Sequence, residues 1–405
     1  MSLTLADIEA ARTRIAEGVA VTPCPESIPL SEITGMRTFC KLEYLQRTGS
    51  FKERGARNAL LLLDNEAKRR GVIAASAGNH ASALAYHGRL LGIPVTVVMP
   101  RFAPLIKVTN CHKLNANVVL AGDTFAAARH EADKIAARDG LTYIHGFDDP
   151  AIIAGQGTLG LEILEQVPDV DAIVLPVGGA GLAAGVSLAV KSKRPSVQVI
   201  GVEAERAPCY TTALAAGQPT DTPCEPTLAD GLAVGRVGKL AFEIARQYLD
   251  RVVAVSEDHL ALAILRLLEL EKSVVEGAGA APLAACIAGK LPELAGKRVV
   301  LLLCGGNIDP LILERVIENS LVADGRLCRF TATISDRPGG LAKLAQTIAT
   351  TGASVKEITH DRAFSGADVA AVNVLCTIET VDREHIGQIF AALQAAGIRV
   401  RPNTG

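Results

Sequence analysis

The sequence predicts an α/β protein built on parallel sheets, followed by a smaller antiparallel α+β module, and three observations carry this. From residue 38 to about 320, short β-branched runs alternate with Ala- and Leu-rich helical stretches, the pattern of parallel strands with helices on both faces. After Asp324-Gly325 the runs alternate apolar with polar residues, and the elements fall in the order β-α-β-β-α-β, as in a ferredoxin-like module. The 405 residues are 49% apolar and 21% charged, which excludes a disordered chain and leaves room for two or three domains.

Taken in order, the start MSLTLADIEAARTRIAEG carries Asp7, Glu9 and Glu17. It reads as an ordinary helix rather than a signal or transit peptide. Strands are predicted at Thr38–Leu42, Val72–Ala75, Val95–Met99, Val118–Leu120, Ile173–Val177, Val197–Val202, Val252–Val255 and Val299–Leu303. Helices are predicted at Phe125–Asp139, Ala151–Gln166, His259–Glu271 and Pro310–Leu321. The linker is expected near Ser320–Arg326. Beyond it come strand Leu327–Ile334, the turn Asp336-Arg337-Pro338-Gly339-Gly340, helix Leu341–Thr350, strands Ser354–His360 and Val369–Ile378, helix Arg383–Ala396 and strand Ile398–Arg401.

Composition removes several classes of function. The net charge is -2 and aromatic residues are only 3%, with no Trp, so the chain lacks a basic surface for phosphate backbones and platforms for base stacking. No apolar run approaches the ~18–20 residues of a membrane helix. The nine cysteines include no C-x-x-C pair, so zinc-knuckle spacing is absent, and reduced thiols in a cytoplasm are expected.

Three loops carry chemistry. In Thr48-Gly49-Ser50-Phe51-Lys52-Glu53-Arg54-Gly55, Ser50 followed by Glu53 reads as a capping box, starting a helix at about Phe51. Lys52 then sits in the positive first turn, where an ammonium is disfavoured and a nucleophilic amine favoured. A solvated lysine on a helix end is the plainer alternative. The second loop, Ser76-Ala77-Gly78-Asn79-His80, follows a strand. Its small residues open a helix N-terminus to an anion, and Asn79 is either a ligand donor or an N-cap. The third, Val177-Gly178-Gly179-Ala180-Gly181-Leu182, is a strand-to-helix phosphate cradle. No Walker lysine follows it. Gly179-x-Gly181-x-x-Ala184 with Glu203 is also compatible with a dinucleotide site. A fourth turn, Cys304-Gly305-Gly306-Asn307, ends the strand Val299–Leu303. Ligands gather at the carboxyl ends of such strands. Cys304 is either a small buried hydrophobe or a neutral thiol facing a heterocyclic nitrogen.

Together these turns resemble the fold-type II pyridoxal-phosphate enzymes, and within them the serine/threonine dehydratase (threonine ammonia-lyase) family. The family's S-F-K-x-R-G corresponds to Ser50–Gly55, its S-x-G-N-H to Ser76–His80, its Gly-rich loop to Gly178–Leu182 and its G-G-N-x-D to Gly305–Asp309. Ala154-Gly155-Gln156-Gly157-Thr158 and Leu228-Ala229-Asp230-Gly231 match as well. The tail around Asp336–Leu341 resembles an ACT domain, an amino-acid-sensing module. The resemblance implies a catalytic domain over residues 1–320, made of two open, mainly parallel α/β subdomains, the small one (roughly 40–150) inserted in the large one. An ACT-like regulatory domain follows at 326–405.

It further implies that Lys52 carries pyridoxal 5'-phosphate as a Schiff base and that Gly178, Gly179, Ala180, Gly181 and Leu182 hold its phosphate. Asn79 then bonds the ring hydroxyl, Phe51 packs near the ring and Cys304 faces the pyridine nitrogen. Ser76, Ala77, Asn79 and His80 are implied to bind the substrate carboxylate. The implied reaction is deamination of L-threonine to 2-oxobutanoate, and of L-serine to pyruvate, with freed Lys52 removing the α-proton.

Three departures stand out. Ala180 replaces a usual glycine, and its methyl fits if the backbone angle there is not positive. Ala77 stands where serine racemases, relatives of the family, have a serine that reprotonates the opposite face. Cys209 stands where their second cation-binding carboxylate is expected beside Glu203, so no metal is expected. Serine racemase and hydroxyaspartate ammonia-lyase are the nearest alternatives; a nicotinamide-dependent oxidoreductase and a non-catalytic amino-acid sensor are the alternatives of other classes. A homo-oligomer, a dimer or tetramer, is expected, with a possible amino-acid effector at the ACT-like module.

Overall fold

The computed structural model describes residues 3–361 and 370–403. Contacts divide the chain into two compact units, Met1–Asp309 and Pro310–Gly405.

The first unit holds two sheets. The larger runs Glu26–Ser27, Arg37–Leu42, Arg298–Leu303, Ala172–Pro176, Gln198–Ala204, Arg251–Val255 in spatial order. The first pair is antiparallel and the rest are parallel, in a register that sets Leu303 beside Leu42 and Val300 beside both Phe39 and Ile173. The smaller sheet is wholly parallel, in the order Asn117–Leu120, Val95–Met99, Val72–Ala75, Thr142–Tyr143. Val72–Ala75 and Ala172–Pro176 are buried at every residue. Continuous apolar runs of this kind mark strands covered on both faces.

Local chemistry sets the helices. The Asp149 carboxylate accepts from the N–H groups of Ala151 and Ile152, and Pro150 occupies the first helical position of Pro150–Gln166. Thr124 caps Phe125–Asp139, which ends on Gly140 in the left-handed region. Ser256 caps Glu257–Glu271, whose first turn is acidic. Strand and helix positions agree with the sequence expectation to within about two residues.

The capping box expected at Ser50 and Glu53 is not made. Ser50 is held in an antiparallel bridge with Gly305, and Phe51 N–H donates to Cys304 O at 3.0 Å. These tertiary bonds move the helix start to Lys52, with Phe51 as a cap without a side-chain bond. Glu53 turns instead to the N–H of Thr48.

The second unit has one antiparallel sheet, in the order Ser354–Asp361, Ala371–Glu379, Leu327–Ser335, Arg399–Pro402. Helices Gly340–Thr350 and Arg383–Ala395 complete the β-α-β-β-α-β order. Phe330, Leu344, Ile348, Val374, Ile389 and Leu393 form the core between them. Position 369, the expected start of the third strand, lies outside the described residues. The helix Pro310–Ala323, which the sequence reading placed within the catalytic part, groups with this unit. Lys356 Nζ pairs with its Glu318 at 2.6 Å, and Arg383 Nη2 donates to Ala323 O at 2.9 Å.

Among the described residues no helix is long and apolar enough to cross a membrane.

Candidate active site

Loops from the carboxyl ends of both sheets of the first unit meet in one crevice. Three follow strands of the larger sheet: Thr48–Phe51, Gly178–Ala180 and Cys304–Asn307. Two follow strands of the smaller: Ser76–Gly78 and His145–Phe147. Hydrogen bonds sew them together. Gly306 N–H donates to Gly49 O at 3.0 Å, Phe51 N–H to Cys304 O at 3.0 Å, and Asn307 Nδ2 to Asn79 Oδ1 at 2.8 Å.

Lys52, the first residue of its helix, is part-buried, and its Nζ donates to Gly146 O at 2.7 Å. It lies 5.2 Å from the centre of the Phe51 ring, which is itself buried. No carboxylate pairs with it among the described residues. Burial therefore dominates and lowers its pKa from 10.5 to about 8, although Cys304 and Glu276 pull the other way. The amine of Lys52 is thus primed as a nucleophile and base, as its place in the first turn predicts.

The Gly-rich loop packs against Phe147, the residue after the Gly146 carbonyl that accepts from Lys52. A Cβ at Gly179 would collide with the Phe147 ring, and one at Gly181 with the Phe147 carbonyl. Close approach, rather than an unusual dihedral, requires glycine at these two positions. The helix Gly181–Lys193 starts at the end of this loop, so its first N–H groups lie at the carboxyl end of the strand Ala172–Pro176. Ala180 departs from expectation. Its φ is +70° and its ψ -1°, so the methyl is tolerated in a left-handed conformation that disfavours it.

Asn79 is not a cap. Gly78 holds that place, and the Asn79 side chain spans the crevice instead. Its Nδ2 donates to Glu276 Oε1 at 2.8 Å and its Oδ1 accepts from Asn307. Ser76 Oγ accepts from Gly78 N–H at 3.2 Å, and Ala77 lies half-buried beside it. His80 is buried, donates from Nε2 to Ile144 O at 3.2 Å, and has no partner at Nδ1 among the described residues. Burial, aided by Lys52, pushes its pKa down to about 3, so it is neutral. Leu182 is buried in the first turn after the loop. Cys304 is buried, and burial together with Glu276 raises its thiol pKa well above 9, so the thiol keeps its proton.

Gly146, Phe147 and Glu276 also belong to this crevice, and no local pattern announces them; Asn307, from the Gly305–Asp309 turn, joins them through Asn79. Glu276 reads as the start of an apolar helix, Gly277–Ile287. Burial, then Asp230, raises its pKa to about 7.

Glu203 is engaged elsewhere. Its carboxylate accepts from the N–H groups of Tyr210 and Thr211 and from the Thr211 hydroxyl, capping the helix Cys209–Ala216. Cys209 Sγ donates to Gly178 O at 3.3 Å. Neither side chain is presented to a ribose or a cation.

A lysine of lowered pKa, a glycine cradle at a helix start and a neutral thiol in one crevice are the parts of a site for a phosphorylated aldehyde. The comparisons agree: the family described as "Pyridoxal-phosphate dependent enzyme" is matched over residues 15–305. The chain belongs to this family of pyridoxal-phosphate dependent enzymes. It is 44% identical over 399 residues to the L-threonine ammonia-lyase of Thermotoga maritima, covering 98% of this chain and 99% of that one. It is 42% identical to the catabolic L-threonine dehydratase of Escherichia coli (strain K12), a match over 76% of this chain and 94% of that protein. Among solved structures, the processed form of threonine deaminase isoform 2 from Solanum lycopersicum superposes with a TM-score of 0.74 at 36% identity, covering 78% of this chain and 91% of that one. The fold is that of the fold-type II enzymes, and the cofactor is pyridoxal phosphate.

Proposed function

We propose that the chain is an L-threonine ammonia-lyase, converting L-threonine to 2-oxobutanoate and ammonia, with L-serine as a second substrate giving pyruvate. The observation that carries this is the likeness to a threonine ammonia-lyase across both units, not only across the catalytic one.

The crevice fits the cofactor. Lys52 would bond its aldehyde, and the N–H groups of Gly178, Gly179, Ala180, Gly181 and Leu182 would hold its phosphate, on a loop whose glycines at 179 and 181 let it close against Phe147. Asn79 has one amide hydrogen without a partner among the described residues, which would serve the ring hydroxyl. Phe51 would pack near the ring, and protonated Cys304 would meet the pyridine nitrogen without transferring charge to it. When bound, pyridoxal phosphate supplies the electrophile for the substrate amine and the electron sink for its α-carbon.

The chain's own residues do the rest. The N-terminus of the helix Asn79–Leu91 offers its N–H groups, with Ser76, Ala77, Asn79 and His80, to the substrate carboxylate. His80 contributes no charge there. Released Lys52 takes the α-proton on Nζ, a general-base step worth ~10²–10⁴ in rate. Ala77 carries no hydroxyl to return a proton to the opposite face, which favours elimination over racemisation. The C-terminal unit is the ACT-like module, the chain a homo-oligomer, and its place the cytoplasm.

The test is to incubate the purified holoenzyme with L-threonine and assay 2-oxobutanoate. Production of the oxo acid supports the proposal; its absence from a cofactor-loaded sample overturns it. Chiral analysis of L-serine left after partial turnover is expected to show no D-serine.

A further inference from the structure

Next to the lysine lies a carboxylate that the proposed reaction does not use. Glu53 is fully buried, as is His87, whose Nε2 stands 3.2 Å from Glu53 Oε2. Arg57 Nη1 lies 3.5 Å from the other ring nitrogen of His87. A carboxylate withdrawn from water is costly unless it holds something in place. Glu53 Oε1 holds Thr48, accepting its N–H.

Thr48 in turn holds the crevice. Its carbonyl accepts from Asn307 Nδ2 at 2.7 Å, and the same nitrogen donates its second hydrogen to Asn79 Oδ1 at 2.8 Å. Both hydrogens of the Asn307 amide are thereby used. Asn79 is fixed with its oxygen toward Asn307 and its nitrogen toward Glu276. An amide can donate only from its nitrogen, so this arrangement decides that Asn79 meets a ligand as a donor.

The geometry points to Glu53 as a positioning residue for the Asn79 contact to the cofactor, acting through Thr48 and Asn307. This rests on the assignment of Asn79 to the ring hydroxyl. Released from Glu53, Thr48 no longer fixes Asn307, and the Asn79 amide is free to rotate and present its oxygen.

The experiment is a double-mutant cycle of Glu53→Ala and Asn307→Ala. It reads the dissociation constant for pyridoxal phosphate, the position of the visible band of the lysine-bound cofactor, and the melting temperature. Each single variant is expected to weaken the cofactor by roughly tenfold and to shift the band. The double variant is expected to weaken it no further than the worse single one. Glu53→Gln, which keeps an oxygen for Thr48, is expected to restore affinity and band. If Glu53→Ala does not fold, Glu53→Asp, one methylene too short to reach, takes its place in the cycle. Losses that multiply in the double variant overturn the proposal. So does a Glu53 variant that only lowers the melting temperature. Asn79→Ala is measured alongside: unchanged affinity and band in that variant reject the Asn79 assignment itself, which separates the two failures.

Discussion

With its pKa near 8, Lys52 is about one-tenth neutral at pH 7, against roughly one part in three thousand for a lysine at 10.5. Burial causes the shift by disfavouring the ammonium, so the sign is fixed: the reactive form grows as pH rises, makes up half of the total at about 8 and saturates above about 9. Capture of pyridoxal phosphate by the apoprotein is expected to accelerate from pH 6 through 8 and level off above about 9, as followed by stopped-flow absorbance. A rate still climbing beyond pH 10 would contradict the low pKa. The lysine was legible in the sequence because its surroundings are local: a Ser-Phe-Lys run at a helix start. Glu276 was not, because what makes it part of the site is its approach to Asn79 and Gly305 across the crevice, and a Glu ahead of an Ala/Gly-rich helix looks like an ordinary helix start.

Among the elements, the loop Gly178–Ala180 keeps an unrelieved conformational cost. Ala180 at φ +70° sits where L-residues lose about 1 kcal/mol. Ala180→Gly is expected to raise the stability of the apoprotein by about 1 kcal/mol, read from urea unfolding, and to tighten cofactor binding. The helix Lys52–Leu62 has the opposite character. Arg54 is fully buried between two carboxylates, at 2.8 Å from Glu43 and 2.6 Å from Glu162, and Lys41 completes the cluster at 2.7 Å from Glu162. Burial pushes the Glu43 carboxyl up, but Arg54 and Lys41 outweigh it and hold it low. Arg54→Met strands two buried carboxylates on one lysine and is expected to cost about 3–5 kcal/mol, seen as a lower urea midpoint. Sequence reasoning recognised Arg54 as part of a motif and missed this cluster, whose members come from residues 41 to 162. It misplaced the cap of the same helix for a related reason. A Ser-x-x-Glu spacing is a local signal, and the bridge of Ser50 to Gly305 overrode it.

At the level of the whole molecule, the catabolic relative is matched over 310 residues that make up 94% of its length, so a protein of this kind exists without the C-terminal unit. Residues 1–309 alone are expected to fold, bind the cofactor and turn over threonine. Any response of the full chain to isoleucine, valine or serine is expected to vanish in that fragment, as measured by initial rates. The module's topology was readable because alternation and helical periodicity switch within short stretches. The sheet order of the first unit was not, since pairing of Arg37–Leu42 with Arg298–Leu303 leaves no trace in either segment. That pairing has a consequence for synthesis. The strand leading to Lys52 acquires its parallel neighbour only after nearly the entire catalytic unit has left the ribosome, and contacts so distant along the chain form slowly. A nascent chain halted before residue 298 therefore carries the reactive amine without the Cys304–Asn307 wall, and vitamin uptake becomes a report that the catalytic unit has been completed.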